Sequence, residues 1–156
     1  MRAPDQVITR RGDGSYNPYM LRWFLFRSKR FDWMPRLYLH KFLRSDDDRA
    51  PHDHPWWFIS ILLHGSYVEY RWDKDDIKTM RVRHSPSIAF RGLSTKHRVE
   101  LFADAHIVRQ NGMLMRNEVN FHPVWTLILT GPDVRAWGFW CGDQFIPHRK
   151  FDGCGE

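Results

Sequence analysis

The chain has 156 residues, of which 42% are hydrophobic, 15% aromatic and 27% charged. This length fits one domain with a sizeable core, and the composition excludes a disordered, collagen-like or coiled-coil protein. The 24 Lys and Arg outnumber the 18 Asp and Glu, and the resulting net charge of +6 is spread along the chain. Such a charge can attract nucleic acid, phosphorylated ligands or acidic partners, but we expect a solvated basic surface.

No helix-turn-helix, zinc-finger or RNP-type pattern accompanies this charge, so no direct nucleic-acid readout is predicted. No apolar run approaches the roughly 18 residues of a membrane helix, and the N-terminus lacks the apolar segment of a secretion signal. We therefore expect a cytoplasmic protein without a membrane partner, in which Cys141 and Cys154 are reduced thiols. Cys141, His148 and Cys154 are also candidates for a zinc site, but their spacing fits no paired C-x-x-C pattern.

The predicted elements are short strands. Residues 1–20 are polar and turn-rich, which indicates an N-terminal arm or an edge strand, and residues 21–156 are expected to form a single domain. Residues 21–27 fit a short strand or a helical turn. Further apolar or alternating runs, separated by turn residues, cover residues 36–43, 57–63, 66–72, 77–83, 87–91, 97–102, 124–130 and 134–141.

Two segments between and after these runs are predicted to be irregular. Residues 103–123 are polar and show no period, and residues 142–156 form a polar tail. No stretch of about 12 residues has the periodicity of an amphipathic helix. The pattern therefore predicts an all-β sandwich or barrel.

The pattern with the clearest chemistry is His52-Asp53-His54, at the entry to a buried strand. In an extended segment residues i and i+2 point to the same face, so the two imidazoles face one point, as a transition metal requires. His97 begins an alternating strand and shares its apolar face, so it can point into the same interior. His52, His54 and His97 are the candidate metal ligands.

This pattern resembles the cupin superfamily, whose members are small β-barrels that bind a metal inside the barrel. The first cupin motif, G-x5-H-x-H-x3-4-E-x6-G, is matched at His52, His54 and Gly65. Its Glu position holds Phe58, and its leading Gly position holds Asp46. The resemblance implies a single-domain cupin-type barrel, that is, a double-stranded β-helix or jelly roll.

The second cupin motif, G-x5-P-x-G-x2-H-x3-N, is matched only at His97. The stretches LYLHKFLRSDDDRAPHDHPWWFISILLHGSY, HRVEL, PVWTLILTGP and WGFWC resemble a narrower group, the small uncharacterised cupin-like proteins of bacteria and phages. Relative to that group, the segment around residues 103–121 is an insertion. This second resemblance implies the fold and the metal site but no substrate.

The absence of the Glu ligand has a chemical consequence. Three neutral His ligands leave the metal its full +2 charge and open positions for water, dioxygen or an anionic substrate. Three-His cupins that resemble this pattern include thiol dioxygenases, which hold ferrous iron, and some diketone-cleaving enzymes. The leading hypothesis is therefore a dioxygenase-like enzyme that uses Fe(II) on a small polar substrate, with Zn, Mn and Ni as alternative metals.

Two other hypotheses remain open. One is a metal-dependent isomerase or hydrolase that acts on a sugar or a nucleotide. The other is a non-catalytic module that binds a ligand or a partner, such as a phage or host accessory protein. The aromatic content of a small barrel also favours a homodimer interface.

Three more residues are candidates for catalysis. His40 shares a strand face with Tyr38 and Phe42, and it is either a buried, hydrogen-bonded residue or a fourth ligand or partner of a ligand. Tyr67 and Glu69 share one face of the strand after Gly65, and they would orient substrate or act as acid and base if that face looked inward. Because the opposite face is more apolar, we expect Tyr67 and Glu69 to look outward.

The remaining charged residues near the motif have structural interpretations. Asp53 is expected to point away from the His pair, and the acids at residues 46–48 to make caps and salt bridges. Arg36, Arg44 and Arg49 are solvated strand-end charges or recognise a carboxylate or phosphate near the barrel mouth.

Overall fold

The fold is known from a computed structural model that describes residues 2–9, 18–27, 33–46, 50–110 and 113–154. These residues form 13 strands, which confirms the all-β prediction, and none of them forms a helix that could cross a membrane. The strands are β1 (Gln6–Thr9), β2 (Pro18–Phe26), β3 (Arg36–Phe42), β4 (Phe58–His64), β5 (Ser66–Trp72), β6 (Lys78–His84), β7 (Ser87–Arg91), β8 (Lys96–Leu101), β9 (Ala103–Gln110), β10 (Met113–Phe121), β11 (Val124–Thr130), β12 (Gly138–Cys141) and β13 (Gln144–Pro147).

The larger sheet has six antiparallel strands in the order β1-β2-β3-β11-β4-β7. Its central strand, β11, pairs with β3 on one side and with β4 on the other. Every second residue of β11, from Val124 to Thr130, is buried. This alternation follows from the period of two in a strand, and it defines the inward face of the sheet.

The smaller sheet has three antiparallel strands in the order β6-β5-β8. One core cluster joins the two sheets, because Leu62 and Val124 of the larger sheet pack with Tyr67 and Leu101 of the smaller one. Burying each such side chain contributes about 1.5–3 kcal/mol. The two sheets therefore face each other, and the predicted ligands lie between them.

The chain ends and the segment before β11 differ from the sequence prediction. Residues 103–123, expected to be irregular, contain the antiparallel hairpin of β9 and β10. Asp104 and Asn120, which pair across it, are both exposed, so at this end the hairpin has no buried face to produce an alternating apolar pattern. The predicted strand over 134–141 begins only at Gly138, and β13 lies in the predicted polar tail.

The N-terminal segment adds to the larger sheet. β1 is its edge strand, which agrees with the second interpretation of residues 1–20, and β2 extends across residue 20. The division into an arm and a domain stays a prediction.

Cys141 and Cys154 form a disulfide, so the prediction of reduced thiols is wrong. The bond joins the end of β12 to the segment that follows β13, because the β12–β13 hairpin brings the chain back on itself. Disulfide formation removes both thiols from the zinc site considered for Cys141, His148 and Cys154. His148 instead stacks on Trp137, with ring centroids 4.3 Å apart.

Candidate metal centre

Main-chain pairing positions two of the predicted ligands side by side. His52 lies just before β4 and forms an isolated antiparallel bridge with His97 of β8. The amide of His52 donates to the carbonyl of His97, the reverse bond is also made, and both are 2.9 Å long. His54 follows on the same face two residues later. The bridge thus joins the His-x-His segment to a residue 43 positions beyond His54.

Asp53 points away from the imidazoles, as predicted, but it is 1% exposed instead of lying in a surface loop. Its Oδ1 accepts from the amide of Gly138 at 3.0 Å. Its Oδ2 accepts from the indole of Trp140 at 2.9 Å and from Arg135 at 2.8 Å. Asp53 therefore anchors the His-x-His segment to the C-terminal hairpin and leaves the imidazoles to face inward.

The three imidazoles converge. One nitrogen from each of His52, His54 and His97 lies within 4.8 Å of the other two. The Nε2 atoms of His54 and His97 are 2.9 Å apart. Three imidazole nitrogens facing one point are a suitable donor set for zinc, iron or another transition ion. The residues present therefore fit the metal that the cupin resemblance implied.

Burial favours the ligating form of these side chains. It is the largest cause that lowers the pKa of His52 to about 4, and it holds the pKa of His54 well below the ordinary value. Both imidazoles are therefore neutral at pH 7 in the metal-free protein. Only a neutral imidazole has the lone pair that binds a metal, so protons compete weakly at this site.

Glu69 faces inward, so the prediction that it looks outward is wrong. It is 2% exposed, and its Oε1 accepts from Nδ1 of His97 at 3.2 Å and from Nε of Arg91 at 2.7 Å. Nη2 of Arg91 donates to the other carboxylate oxygen. Arg91 lies on β7, and its positive charge balances the negative charge of Glu69. The face of β5 that carries Glu69 can therefore be buried.

The contact between Glu69 and His97 determines which nitrogen of His97 is available. A carboxylate only accepts hydrogen bonds, so Nδ1 carries the proton and Nε2 presents its lone pair to the cluster. Burial by itself would raise the pKa of Glu69, but the hydrogen bonds from His97 and Arg91 lower it to about 2. Glu69 is thus an ionised partner of His97 that holds the imidazole in its ligating form.

Tyr67 also faces inward, contrary to prediction. It is 7% exposed and packs in the core cluster between the sheets. Burial, and secondarily the charge of Glu69, raises its pKa to about 12. Its phenol therefore stays protonated at neutral pH and is able to donate a hydrogen bond.

His40 is buried and hydrogen-bonded, in line with the first of its two interpretations. Its Nε2 accepts from Nε of Arg22 at 2.9 Å, and its ring stacks on Tyr38 with centroids 5.7 Å apart. Burial, with the nearby charge of Arg22, lowers its pKa well below the ordinary value. His40 is not one of the three clustered ligands, although it lines the same cavity.

Asp46 and Arg36 are engaged in structural contacts. Asp46 accepts from the amide of Val99 at 2.6 Å and also bonds Tyr19, and its Oδ2 lies 3.8 Å from Nδ1 of His52. Arg36 contacts both carboxylate oxygens of Asp133 at 3.0 Å. Residues 47–49, which include the other two loop acids and Arg49, lie outside the described residues.

A cavity of about 360 Å³ opens beside the three imidazoles. Its walls are largely aromatic and aliphatic, with Tyr38, Phe58 and Ile128 among them. The polar residues that line it and that were not predicted as site residues include Arg22, Ser60, Arg91, Thr126 and Thr130. Their signal was an isolated polar residue within an otherwise apolar strand, as in VWTLILT and LRWFLFR.

Comparisons with known proteins bear on the fold. No family model and no curated protein matches the chain. A structure of oxalate decarboxylase aligns with a TM-score of 0.52 and 12% identity, covering 80% of this chain and 29% of that one. Oxalate decarboxylase from Lactobacillus farciminis aligns with a TM-score of 0.51 and 9% identity, covering 79% and 32%. KdgF from Halomonas sp. aligns with a TM-score of 0.48 and 13% identity, covering 76% and 84%.

The chain spans less than one third of either oxalate decarboxylase. Its two facing antiparallel sheets, with an imidazole cluster between them, form a jelly roll. It has the cupin fold, as the first motif predicted.

Proposed function

We propose that this cupin is a metal-dependent enzyme of the dioxygenase-like class. His52, His54 and His97 would hold Fe(II), and the cavity beside them would hold a small organic substrate. The observation that carries the proposal is the convergence of three imidazoles within 4.8 Å at the wall of a cavity of about 360 Å³. That volume lies in the range of small-molecule sites.

The arrangement around His97 supports metal binding over a purely structural cluster. A metal-bound His usually donates its second ring N–H to a carboxylate, which orients the ring and raises its basicity. Glu69 takes this position at 3.2 Å from Nδ1 of His97, and Arg91 holds Glu69 in place. This contact orients the ring of His97 toward the other two imidazoles.

The side chains of the cavity favour oxidation over isomerisation. An isomerisation needs a side chain that gains and loses a proton near neutral pH, whereas a metal-dependent hydrolysis would use metal-bound water. Glu69, with its pKa near 2, stays ionised, and Tyr67, with its pKa near 12, stays protonated. His40 uses its Nε2 to accept from Arg22. These three residues can bind and orient a substrate, but they are poorly suited to exchange protons with it.

An oxidation at the metal places fewer demands on the side chains. When bound, ferrous iron supplies open coordination positions for dioxygen and for a substrate atom. In a dioxygenation both oxygen atoms enter the product and the substrate supplies all four electrons, so no external reductant is needed. The side chains of the cavity need only orient the substrate and exclude water.

The first test is elemental analysis of the purified, untagged protein after anaerobic reconstitution with Fe(II). We expect one metal per chain in the wild type and almost none in His97→Ala. The matched control is His84→Ala, an exposed residue of β6 that bonds Ser66 and should keep full metal content. Circular dichroism checks that both variants keep the β fold.

The second test is oxygen uptake by the Fe(II) protein with thiols, diketones and small carboxylates. Uptake by the wild type that His97→Ala lacks would support the proposal. Zinc held tightly without turnover of any substrate would overturn it in favour of a non-catalytic binding module. Failure to retain Fe, Zn, Mn or Ni would remove the metal site altogether.

A further inference from the structure

Arg22 is a charged side chain that lines the same cavity as the three imidazoles. Its Nε donates to Nε2 of His40 at 2.9 Å, and its Nη1 donates to Gln6 at 3.3 Å. Its guanidinium carbon lies 5.1 Å from the ring centre of Tyr38. Burial lowers the pKa of Arg22, so its charge sits in a less polar setting than water. Among the described residues, no Asp or Glu forms a salt bridge with it.

The other cavity-lining arginine differs on this point. Arg91 makes two contacts with the carboxylate of Glu69 and donates its remaining Nη1 to the carbonyl of Phe90. A buried charge is costly unless an opposite charge lies beside it, and Glu69 provides this for Arg91. Within the part of the chain that the structure describes, Arg22 is the cavity-lining cation without such a partner.

The strand register places a buried hydroxyl without a hydrogen-bond partner among the described residues two strands away from Arg22. Arg22 of β2 lies opposite His40 of β3, and His40 lies opposite Thr126 of β11. Directly opposed residues in antiparallel strands have Cβ atoms about 4.5–5.5 Å apart. Thr126 is 2% exposed, and its hydroxyl has no hydrogen-bond partner among the described residues. A guanidinium and a buried hydroxyl thus flank His40 on the inward face of the sheet.

Arg22, His40 and Thr126 form a polar row across the sheet, and this row is electrostatically linked to the imidazole cluster. The charge of Arg22 is one of the influences that lower the pKa of His54. Three neutral His ligands would leave the +2 charge of a bound divalent metal without a balancing negative charge. The negative charge of Glu69 is already balanced by Arg91. Among the described residues, the cavity therefore combines the proposed metal site with Arg22, a cation that no carboxylate pairs, and a ligand that carries negative charge would balance both.

We propose that Arg22 and Thr126 form an anion subsite, and that the substrate is a small organic carboxylate with an apolar body. A guanidinium fork matches the planar shape of a carboxylate. The apolar body would lie against the aromatic and aliphatic walls at Tyr38, Phe58 and Ile128. This inference rests on the proposed function, because it names the substrate class for the same cavity.

The test is calorimetric titration with benzoate and with its uncharged analogue benzamide, on Fe(II)-loaded and on chelator-treated protein under anaerobic conditions. The variants are Arg22→Met and Thr126→Val, with Arg81→Met as the matched control. Arg81 is an exposed residue of β6 in the smaller sheet, so its loss removes the same charge from a different sheet than the one that carries Arg22 and Thr126. Elemental analysis confirms that each variant keeps its metal.

We expect the wild type to bind benzoate at least about tenfold more tightly than benzamide. Arg22→Met should weaken benzoate at least about tenfold and Thr126→Val about two- to tenfold. Benzamide affinity should stay within about twofold in both variants, and Arg81→Met should bind both probes like the wild type. Because a merely structural defect would weaken both probes alike, this split separates recognition from folding.

The outcomes separate the two proposals. Equal affinity of the wild type for benzoate and benzamide would overturn the subsite, and this result does not depend on whether Arg22→Met folds. The subsite would also be overturned if Arg22→Met and Thr126→Val both bound benzoate as tightly as the wild type. Neither result would bear on metal binding. Conversely, a protein that retains no metal but binds benzoate in an Arg22-dependent way would lose the proposed function and keep the subsite.

Discussion

Replacing Glu69 by Gln tests the ion pair that supports the candidate centre. The carboxylate is 2% exposed and is held by Nε of Arg91 at 2.7 Å, with Nε of Arg83 at 3.5 Å. Glu69→Gln keeps the size of the side chain but leaves the buried charge of Arg91 without its partner. Removing one partner of a buried pair costs about 3–5 kcal/mol.

The pKa of Glu69 gives a similar magnitude. A lowering from the ordinary 4.5 to about 2 corresponds to about 3 kcal/mol of stability at neutral pH. Because the pKa is lower in the folded state, this contribution is full above pH 4.5 and is lost as the pH falls toward 2. Against a typical free energy of unfolding of about 5–15 kcal/mol, the variant should fold but unfold at much lower urea.

The assay is urea unfolding of the metal-free protein at pH 7, followed by tryptophan fluorescence. Glu100→Gln is the control, because its partner Arg98 is 3.2 Å away but Glu100 is 48% exposed, and it should cost less than about 1 kcal/mol. The double variant Glu69→Gln/Arg91→Met should recover most of the loss, since it removes both charges. A cost below about 1 kcal/mol for Glu69→Gln alone would refute the buried ion pair.

Three further predictions concern the frame around the site. Gly138→Ala should destabilise the protein by about 1–3 kcal/mol in urea unfolding, because a Cβ there would lie 2.1 Å from the carbonyl oxygen of Ile146; unchanged stability would contradict the close approach of these strands. Replacing Cys141 and Cys154 by Ser should lower the free energy of unfolding by about 2–4 kcal/mol under non-reducing conditions, and under strong reductant the wild type should match the variant. The low pKa of His40 predicts that the metal-free protein loses stability as the pH falls below 6.5, by at most about 1.4 kcal/mol per pH unit for this group. The measurement is the melting temperature as a function of pH for the wild type and for His40→Gln. An identical pH dependence of the two proteins would contradict the prediction.

The all-β fold could be predicted from local signals. Turn residues separate runs of alternating or continuous apolar residues, and most of these runs are strands in the structure. The hairpin of β9 and β10 could not be predicted in this way, because exposed residues such as Asp104 and Asn120 carry no alternating pattern. Its strands are joined by main-chain hydrogen bonds, and these bonds form between strands of many different side-chain compositions.

The candidate centre was predictable in part for a similarly local reason. His52 and His54 must share a face in any extended segment, so their spacing alone implies a paired presentation. That His97 joins them depends on a main-chain bridge between segments 43 residues apart. Alternation in its own strand made His97 a candidate and the second cupin motif matched it, but neither signal shows that the two segments meet.

Alternation along the sequence determined which residues of this protein share a face, but only the tertiary structure decided which face is buried. Tyr67 and Glu69 were correctly predicted to share one face of their strand. The opposite, more apolar face was predicted to be the buried one, and that prediction was wrong. A carboxylate can be buried when a cation from another strand neutralises it, and Arg91, 22 residues away, does so. Arg22 and Thr126 likewise come to flank His40 only through strand register. Charges on residues that are distant in the sequence balance one another in the cavity, and no local sequence pattern reveals which residues will pair.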